Sequence, residues 1–397
     1  MHPNIQKLYD IANKPKRMII GLMSGTSLDG LDIALCAVEG NGRATKLELL
    51  NFETIGYTDD IKNEIRAVFS RKQIDLEKLC LLNPWIALQH AAIINTCLQK
   101  WNIKTSDVDL VASHGQTIYH APQRLHQQQK FGNATLQIGD GDHLAVATGI
   151  ITISDFRQKN IAAGGEGAPL AVYGDHILFS KKGEDRILLN MGGIANFTYL
   201  PGKEESENIV CTDVGPGNTL MDAYMQEQFT GMSYDKDAAV AKSGIVNVAL
   251  LSELKDDAFF QQDFPKTTGP ELFNLLYLQK AKQKSKTVSL SVEDTMATLN
   301  KFSADTIAAA INSCIKHKTG ISIFGSGGGI HNPLLMQHLK EQLPNCSFRS
   351  TSESGIDPDA KEAVLFALLA NECVSGKKTT GKGPVPEVAM GKISFPV

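Results

Sequence analysis

The sequence predicts an α/β protein of two domains, each a mixed β-sheet flanked by helices, with a cleft between them. Two hairpins of one type carry that expectation. Residues 17–22 (RMIIGL) pass through SGTS into the apolar run 31–38, and residues 186–193 (RILLNMGG) pass into 194–200 (IANFTYL). Each is an arginine, three apolar residues, a small-residue turn and a second strand-length run. A third observation joins them. Glycine clusters at 21–30, at 192–193 with 215–217, and at 325–329 each follow an apolar strand. At 397 residues the chain is also too long for one comfortable core.

The elements follow in order. Gly/Ser/Thr turn chemistry closes the first hairpin, whose small tip lets a ligand approach free backbone N–H groups. An ordinary hairpin turn fits the same letters. Residues 59–70 and 74–101 read as helices, the second interrupted at Asn83-Pro84. A short strand at 110–113 runs into HGQT, with further strands at 135–138 and 150–154. Between them 139–148 (GDGDHLAVAT) reads as a helix entered through aspartate caps. In the second half, strand 208–212 leads into DVGPGN and helix 219–229, and 237–316 is mostly helical. Strand 321–324 enters GSGGG before helix 331–343, and 358–374 is a last long helix. The closing MGKISF is strand-like and returns to an earlier sheet. This places residues 1–156 plus about 388–397 in domain I and 157–387 in domain II.

Composition excludes several classes. Apolar residues make up 42% and charged residues 21%, an ordinary globular mixture, and the net charge of −4 gives no support to nucleic-acid or membrane-surface binding. No stretch approaches a membrane span, the N-terminal residues lack a signal-like apolar run, and seven scattered cysteines suit reduced thiols, so a cytoplasmic location is expected. There is no GxxxxGK[ST], the string at 325–330 lacks the last glycine of GxGxxG, and the first cluster opens a strand where a dinucleotide fingerprint opens a helix. Triphosphate held by two hairpins and adenosine on a third loop accounts for all three clusters. Three unrelated loops is the bland alternative.

The motifs GLMSGTSLDGLDIAL, SHGQTIYH, LQIGD, SDFR, AAGGEGAPL, NMGGIAN, DVGPGNTLMDA, FGSGGGIHNPLLM and GIDPDAKEAVLFALLA run from near the start to near the end of the chain. With them it resembles the superfamily of acetate and sugar kinases, heat-shock chaperone ATPases and actin, and within it the anhydro-N-acetylmuramic acid kinases. MSGTSLDG with DVGPGNTLMDA is specific to that family. The resemblance implies the actin-like sugar-kinase ATPase fold. The implied reaction opens the 1,6-anhydro bridge with water and passes the ATP γ-phosphate to O6, giving N-acetylmuramic acid 6-phosphate for peptidoglycan recycling.

The resemblance also distributes roles. ATP phosphates would lie on Ser24, Gly25, Thr26, Ser27, Leu28, Asp29, Gly30, Leu31 and Asp32, with Mg²⁺ on Asp29 through water, opposite Gly192 and Gly193. Gly325, Gly327 and Gly328 would flank the nucleoside. Asp213 would be the general base, with Glu362 near the same water; read from the residues alone, an aspartate before Gly-x-Gly is more often a helix or turn cap, and Glu362 is a favourable charge at a helix N-terminus. His114, Gln116, Thr117, Asp155 and Arg157 would bind the sugar, whose lactyl carboxylate suits an arginine fork. This chain reads DFRQKN where the family often reads DFRRRD, so Lys159 supplies a point charge, and Glu166 stands where glutamine is usual. The expected partners are ATP, an anhydro-amino sugar and water, and a homodimer is left open. A kinase of another amino sugar or sugar acid is the alternative. A chaperone or filament ATPase, and an inactive binding protein, are the rivals from other classes.

Overall fold

The computed structural model describes residues 1–25, 27–168, 170–203, 209–316, 318–350, 353, 359–376 and 388–397, apart from the side chain of Arg43. Its strands, in chain order, are β1 (Lys16–Ser24), β2 (Gly30–Glu39), β3 (Lys46–Gly56), β4 (Leu110–Ala121), β5 (Ala134–Ile138), β6 (Thr152–Ser154), β7 (Arg186–Met191), β8 (Ile194–Leu200), β9 (Val210–Pro216), β10 (Ile321–Ser326), β11 (Cys346–Ser350) and β12 (Lys392–Ser394). The chain divides into unit 1, Met1–Leu178 with Gly355–Val397, and unit 2, Phe179–Ser354.

Unit 1 holds a sheet of order β12-β6-β4-β1-β2-β3, with β5 paired to β4. The first three strands form an antiparallel meander, and β4 and β6 then add in parallel. Alternation along β1 and β2 splits the core between two faces, because successive side chains point oppositely. Ile20, Leu22, Leu31, Ile33 and Leu35 pack with Ile86 and Ile94 of the helix Leu76–Lys100. Ile19, Ala34 and Cys36 pack with Ala363, Phe366, Ala367 and Ala370 of the helix Lys361–Ser375. Each fully buried aliphatic side chain contributes roughly 1.5–3 kcal/mol.

Unit 2 repeats the plan. Its sheet has order β11-β10-β7-β8-β9, again a meander of three followed by two parallel strands. Ile187, Leu189 and Met191 of β7 pack with Ile307 and Ile311 of Val292–Ile315 and with Leu335 and Leu339 of Pro333–Gln342. A second core joins Leu220, Phe259, Phe273, Met296 and Phe302 within the helical part. Two mixed sheets of one topology, each flanked by helices, give the paired α/β halves that the hairpins predict and match the actin-like fold that the resemblance implies.

Two expectations are corrected. Residues 157–178 and the helix Lys361–Ser375 belong to unit 1, so the first domain is larger than 1–156 plus 388–397. The reason is contact: a Cβ at Gly21 of β1 would overlap the Ala363 carbonyl oxygen, so that helix lies directly on the first sheet. The helix Leu76–Lys100 is also continuous through Pro84. Leu82, Ile86 and Ala87 are buried around the proline. The side chain of Asn83 accepts from Gly139 N–H at 2.9 Å, and its carbonyl from Asp140 N–H at 3.2 Å. Tertiary contacts there outweigh the lost helical bond.

Candidate active site

The tip between β1 and β2 sits on a hydrogen-bonded chain rising from the core. His90 Nε2 and Tyr57 Oη lie 2.8 Å apart, Tyr57 Oη donates to Ser24 Oγ at 2.8 Å, and Ser24 Oγ donates to Gln116 Oε1 at 2.5 Å. Gln116 Nε2 then donates to the carbonyls of Gly25 and Thr117, both at 3.2 Å. Since Tyr57 and Ser24 each spend their one proton forward, His90 must donate from Nε2. Burial supports that neutral tautomer by pushing the His90 ring down to about 4.

Around this chain the tip residues divide. A Cβ at Gly25 would meet nothing closer than Ser27 Oγ at 3.4 Å, so its outer side is open to a ligand. Ser27 and Asp29 are exposed and hydrogen-bonded to each other. Leu28 and Leu31 are core residues and offer a ligand only backbone. Gly30 has a packing reason, because a Cβ there would overlap the Ile55 carbonyl oxygen on β3. Asp32 accepts from Thr54 Oγ1 at 2.6 Å, and burial raises its carboxyl above the ordinary range. Thr26 lies outside the described residues.

Of the residues expected at the sugar, the structure brings His114 into contact with Arg157 and Gln116 into contact with Thr117. Arg157 Nε donates to His114 Nε2 at 2.9 Å, and its Nη1 donates to the Gly167 carbonyl at 2.7 Å. Accepting that bond keeps His114 neutral, and burial followed by the Arg157 cation pushes its ring down to about 3. Burial lowers Arg157 itself to about 10, with the Glu362 carboxylate opposing. Thr117 Oγ1 accepts from Gln137 at 3.2 Å. Glu362 stands in the first turn of Lys361–Ser375, open to solvent on one side. Desolvation by the surrounding protein, then the Asp32 carboxylate, raise its carboxyl, and Lys361 and Arg157 offset part of this. Asp155 caps Phe156–Ala162 in a left-handed conformation and is ion-paired with Lys392 of β12, while Lys159 is exposed. Glu166 is paired with Arg124 at 3.2 Å, so its extra charge is locally balanced.

In unit 2 the tip Gly192-Gly193 is fixed by main chain. Asn218 N–H donates to the Gly192 carbonyl at 2.9 Å, while Gly217 and Thr219 N–H groups donate to that of Gly193 at 2.9 and 3.0 Å. Gly327 has φ +79°, and a Cβ there would lie 2.6 Å from Asn190 Oδ1. Gly325 and Gly328 have side-chain neighbours at 3.0 and 3.5 Å from such a Cβ, those of Ile330 and Asn218. Asp213 lies on β9, where Thr268 N–H donates to its Oδ2 at 2.9 Å and its own N–H donates to the Lys266 carbonyl at 3.0 Å. Sequence reading passes over Tyr57, His90, Lys266 and Thr268. Only the last two carry a local signal, the turn-forming PKTTGP within a stretch read as helical.

Among the described residues no helix is long and apolar enough to cross a membrane. The family model described as anhydro-N-acetylmuramic acid kinase matches residues 17–393. A protein of that name from Pseudoalteromonas atlantica (strain T6c) is 57% identical over 400 residues, covering 100% of both chains. One from Caldanaerobacter subterraneus subsp. tengcongensis is 38% identical, covering 98% of this chain and 100% of its own. The chain belongs to the anhydro-N-acetylmuramic acid kinase family.

Proposed function

We infer that this protein opens the 1,6-anhydro bridge of anhydro-N-acetylmuramic acid with water and phosphorylates O6 at the expense of ATP, in the cytoplasm, as a step of peptidoglycan recycling. The observation that carries the reading is the setting of Asp213 in a family-matched chain. Its carboxylate stands midway along β9, is oriented through Oδ2 by a backbone N–H, and lies two residues before the Gly-Pro-Gly sequence at which the strand ends. Such a group can accept the proton of a water attacking C1. The C1–O6 bond then breaks, and O6 leaves with its electron pair to take the γ-phosphoryl group. Glu362, with its carboxyl raised, is the second carboxylate assigned to the reaction.

Unit 1 supplies Gly25 and the exposed Ser27 and Asp29 for phosphate, and Ser24, Gln116 and Tyr57 brace the strand end before them. Asp29 with Ser27 beside it fits Mg²⁺, an ion that takes one or two carboxylates and completes its shell with phosphate and water. When bound, that ion neutralises phosphate charge. His114, Gln116, Thr117, Asp155, Arg157 and Lys159 are the proposed sugar contacts, with Arg157 directed at the lactyl carboxylate. Unit 2 supplies Gly192 and Gly193 for phosphate and Gly325, Gly327 and Gly328 for the nucleoside.

Mass analysis of the product formed from ATP, Mg²⁺ and the anhydro-sugar in ¹⁸O-water tests the reaction. One heavy oxygen at C1 together with one phosphate is the expected result; phosphate without heavy oxygen indicates a kinase of a free hydroxyl. Asp213→Asn tests the base. It keeps the shape of the side chain and removes the proton acceptor, so kcat should fall about 10²–10⁴-fold with ATP affinity kept.

A further inference from the structure

We propose that Lys266 is a positioning residue for Asp213, acting through the short segment 266–268. The proposal rests on the reading of Asp213 as the base. Lys266 is only 8% exposed, and among the described residues its ammonium has no carboxylate partner. It lies 4.5 Å from the ring centre of Phe259, 5.5 Å from that of Phe264 and 5.9 Å from that of Phe260. Its Nζ donates to the Phe259 carbonyl at 3.0 Å. Burying an ammonium against rings and one carbonyl costs more than burying a methionine of like length. Packing alone therefore does not account for a lysine here.

What the buried cation fixes is the backbone that addresses Asp213. The Lys266 carbonyl accepts from Asp213 N–H at 3.0 Å and from Thr212 Oγ1 at 3.2 Å, while Lys266 N–H donates to Thr212 Oγ1 at 3.0 Å. Two residues on, Thr268 N–H holds Asp213 Oδ2 at 2.9 Å. The segment thus grips Asp213 at main chain and carboxylate together. Lys266 pins the segment at one end, as a pin through a bracket. Freed of it, the 266–268 backbone can drift, and a catalytic carboxylate displaced by about 1 Å costs about 100-fold in rate.

The test compares three variants with Asp213→Asn as reference. Lys266→Met keeps the apolar stem and removes the charge; kcat should fall about 10–100-fold, with KM for ATP within about twofold of normal. Lys266→Arg, which can refill the ring cage and the Phe259 bond, should recover kcat to within about threefold of normal. Phe264→Leu, at a partly exposed wall of the cage, should cost about 2–5-fold and keeps the proposal testable if Lys266→Met fails to fold. In the Asp213→Asn background Lys266→Met should lower kcat less than about twofold further, because positioning an absent base is worth nothing. Normal kcat in Lys266→Met or, failing its folding, in Phe264→Leu overturns the proposal. So does full additivity with Asp213→Asn, or a loss that arginine does not restore. If Asp213→Asn itself keeps normal kcat, the reading of the base falls instead, and the two failures are distinct.

Discussion

The two sheets have one strand order, β3-β2-β1-β4-β6 in unit 1 and β9-β8-β7-β10-β11 in unit 2, yet their hairpin tips are held by different means. The tip between β1 and β2 is braced by side chains, in a chain from His90 through Tyr57 and Ser24 to Gln116. The tip between β7 and β8 is braced mainly by main-chain N–H groups of residues 217–219, with one side-chain bond from Asn218 Nδ2 to the Met191 carbonyl at 3.1 Å. A duplicated topology therefore does not imply duplicated sensitivity. Side-chain bracing can be cut by one substitution and carries titratable groups into the core. Main-chain bracing depends on space, and a Cβ at Gly217 would overlap the Gly192 carbonyl oxygen.

Acid should separate the units most strongly. His90 and His114, both buried in unit 1, are pushed down to about 4 and about 3. Their unfolded forms take a proton near pH 6.5, whereas the folded forms refuse it until those lower values, so the unfolded state binds more protons and stability falls as pH falls. Each contributes up to about 1.4 kcal/mol per pH unit, roughly 5 kcal/mol for the pair between pH 6.5 and 4.5. Asp32 and Glu362, with raised carboxyls, titrate in the opposite sense, so the clean measure is a difference between variants. Trp85 and Trp101 both lie in unit 1 and are the chain's two tryptophans, so their fluorescence reports that unit alone. Urea midpoints by tryptophan fluorescence should drop steeply across this range, and less so in His114→Gln. An equal slope in that variant would show that His114 already accepts a proton when folded.

Space is the next lever. Gly21→Val drives a side chain into the carbonyl of Ala363 and should destabilise unit 1 by about 3 kcal/mol or more, beyond the usual cost of overpacking. Asn190 occupies the matching place after the arginine and three apolar residues of β7, and its bulk fills the room beside Gly327. Asn190→Gly should thus cost only about 1 kcal/mol, mainly as backbone entropy. Melting curves of equal depth for the two variants would mean that the sheets are packed alike after all.

The same contrast explains what the sequence disclosed. Hairpins, the Asp140 cap and the last helix are set by residues within a turn or two of each other, and local spacing finds them. The sheet that Lys361–Ser375 covers is chosen by Gly21, more than three hundred residues earlier, and no local pattern records that pairing. Strand β3 escapes notice because it has no fully buried residue and its alternation is broken at Leu50, where the pairing with β2 shifts register. Gly30 is read as part of a ligand loop because its neighbours are, although its own constraint is Ile55. The motif residues of the site are legible one by one; the partners that orient them, Tyr57 for the tip and Lys266 for Asp213, are remote in sequence.

Cutting the side-chain brace should have a moderate effect. Tyr57→Phe removes the donor to Ser24 and strands a buried His90 N–H, worth about 1–3 kcal/mol. Part of that loss should appear as ATP affinity weakened about 3–10-fold in calorimetry, because Gln116 no longer has a fixed Ser24 to hold the Gly25 carbonyl. Met191→Leu, a volume-conserving change beneath the other tip, should leave ATP affinity within about twofold. Comparable losses from both would erase the distinction between side-chain and main-chain bracing.

The smallest effect concerns a charge that the first unit carries near the residues proposed for the sugar. Glu166 stands where the family resemblance leads one to expect glutamine, and a lone carboxylate near Arg157 would repel a sugar acid. Arg124 Nε donates to Glu166 Oε2 at 3.2 Å, and both side chains are about two-fifths exposed, so the pair is close to neutral and screened. Exposed pairs of this kind are worth about 0–1 kcal/mol. Glu166→Gln releases Arg124 as a free cation, which should lower KM for the anhydro-sugar by less than about threefold at low salt and by nothing measurable in 0.5 M salt, where the screening length is only about 3–5 Å. The sign decides the role of the replacement. A lower KM that vanishes with salt means Glu166 and Arg124 act as a neutral pair at the rim. A KM raised in both salts would mean that the carboxylate itself contacts the sugar.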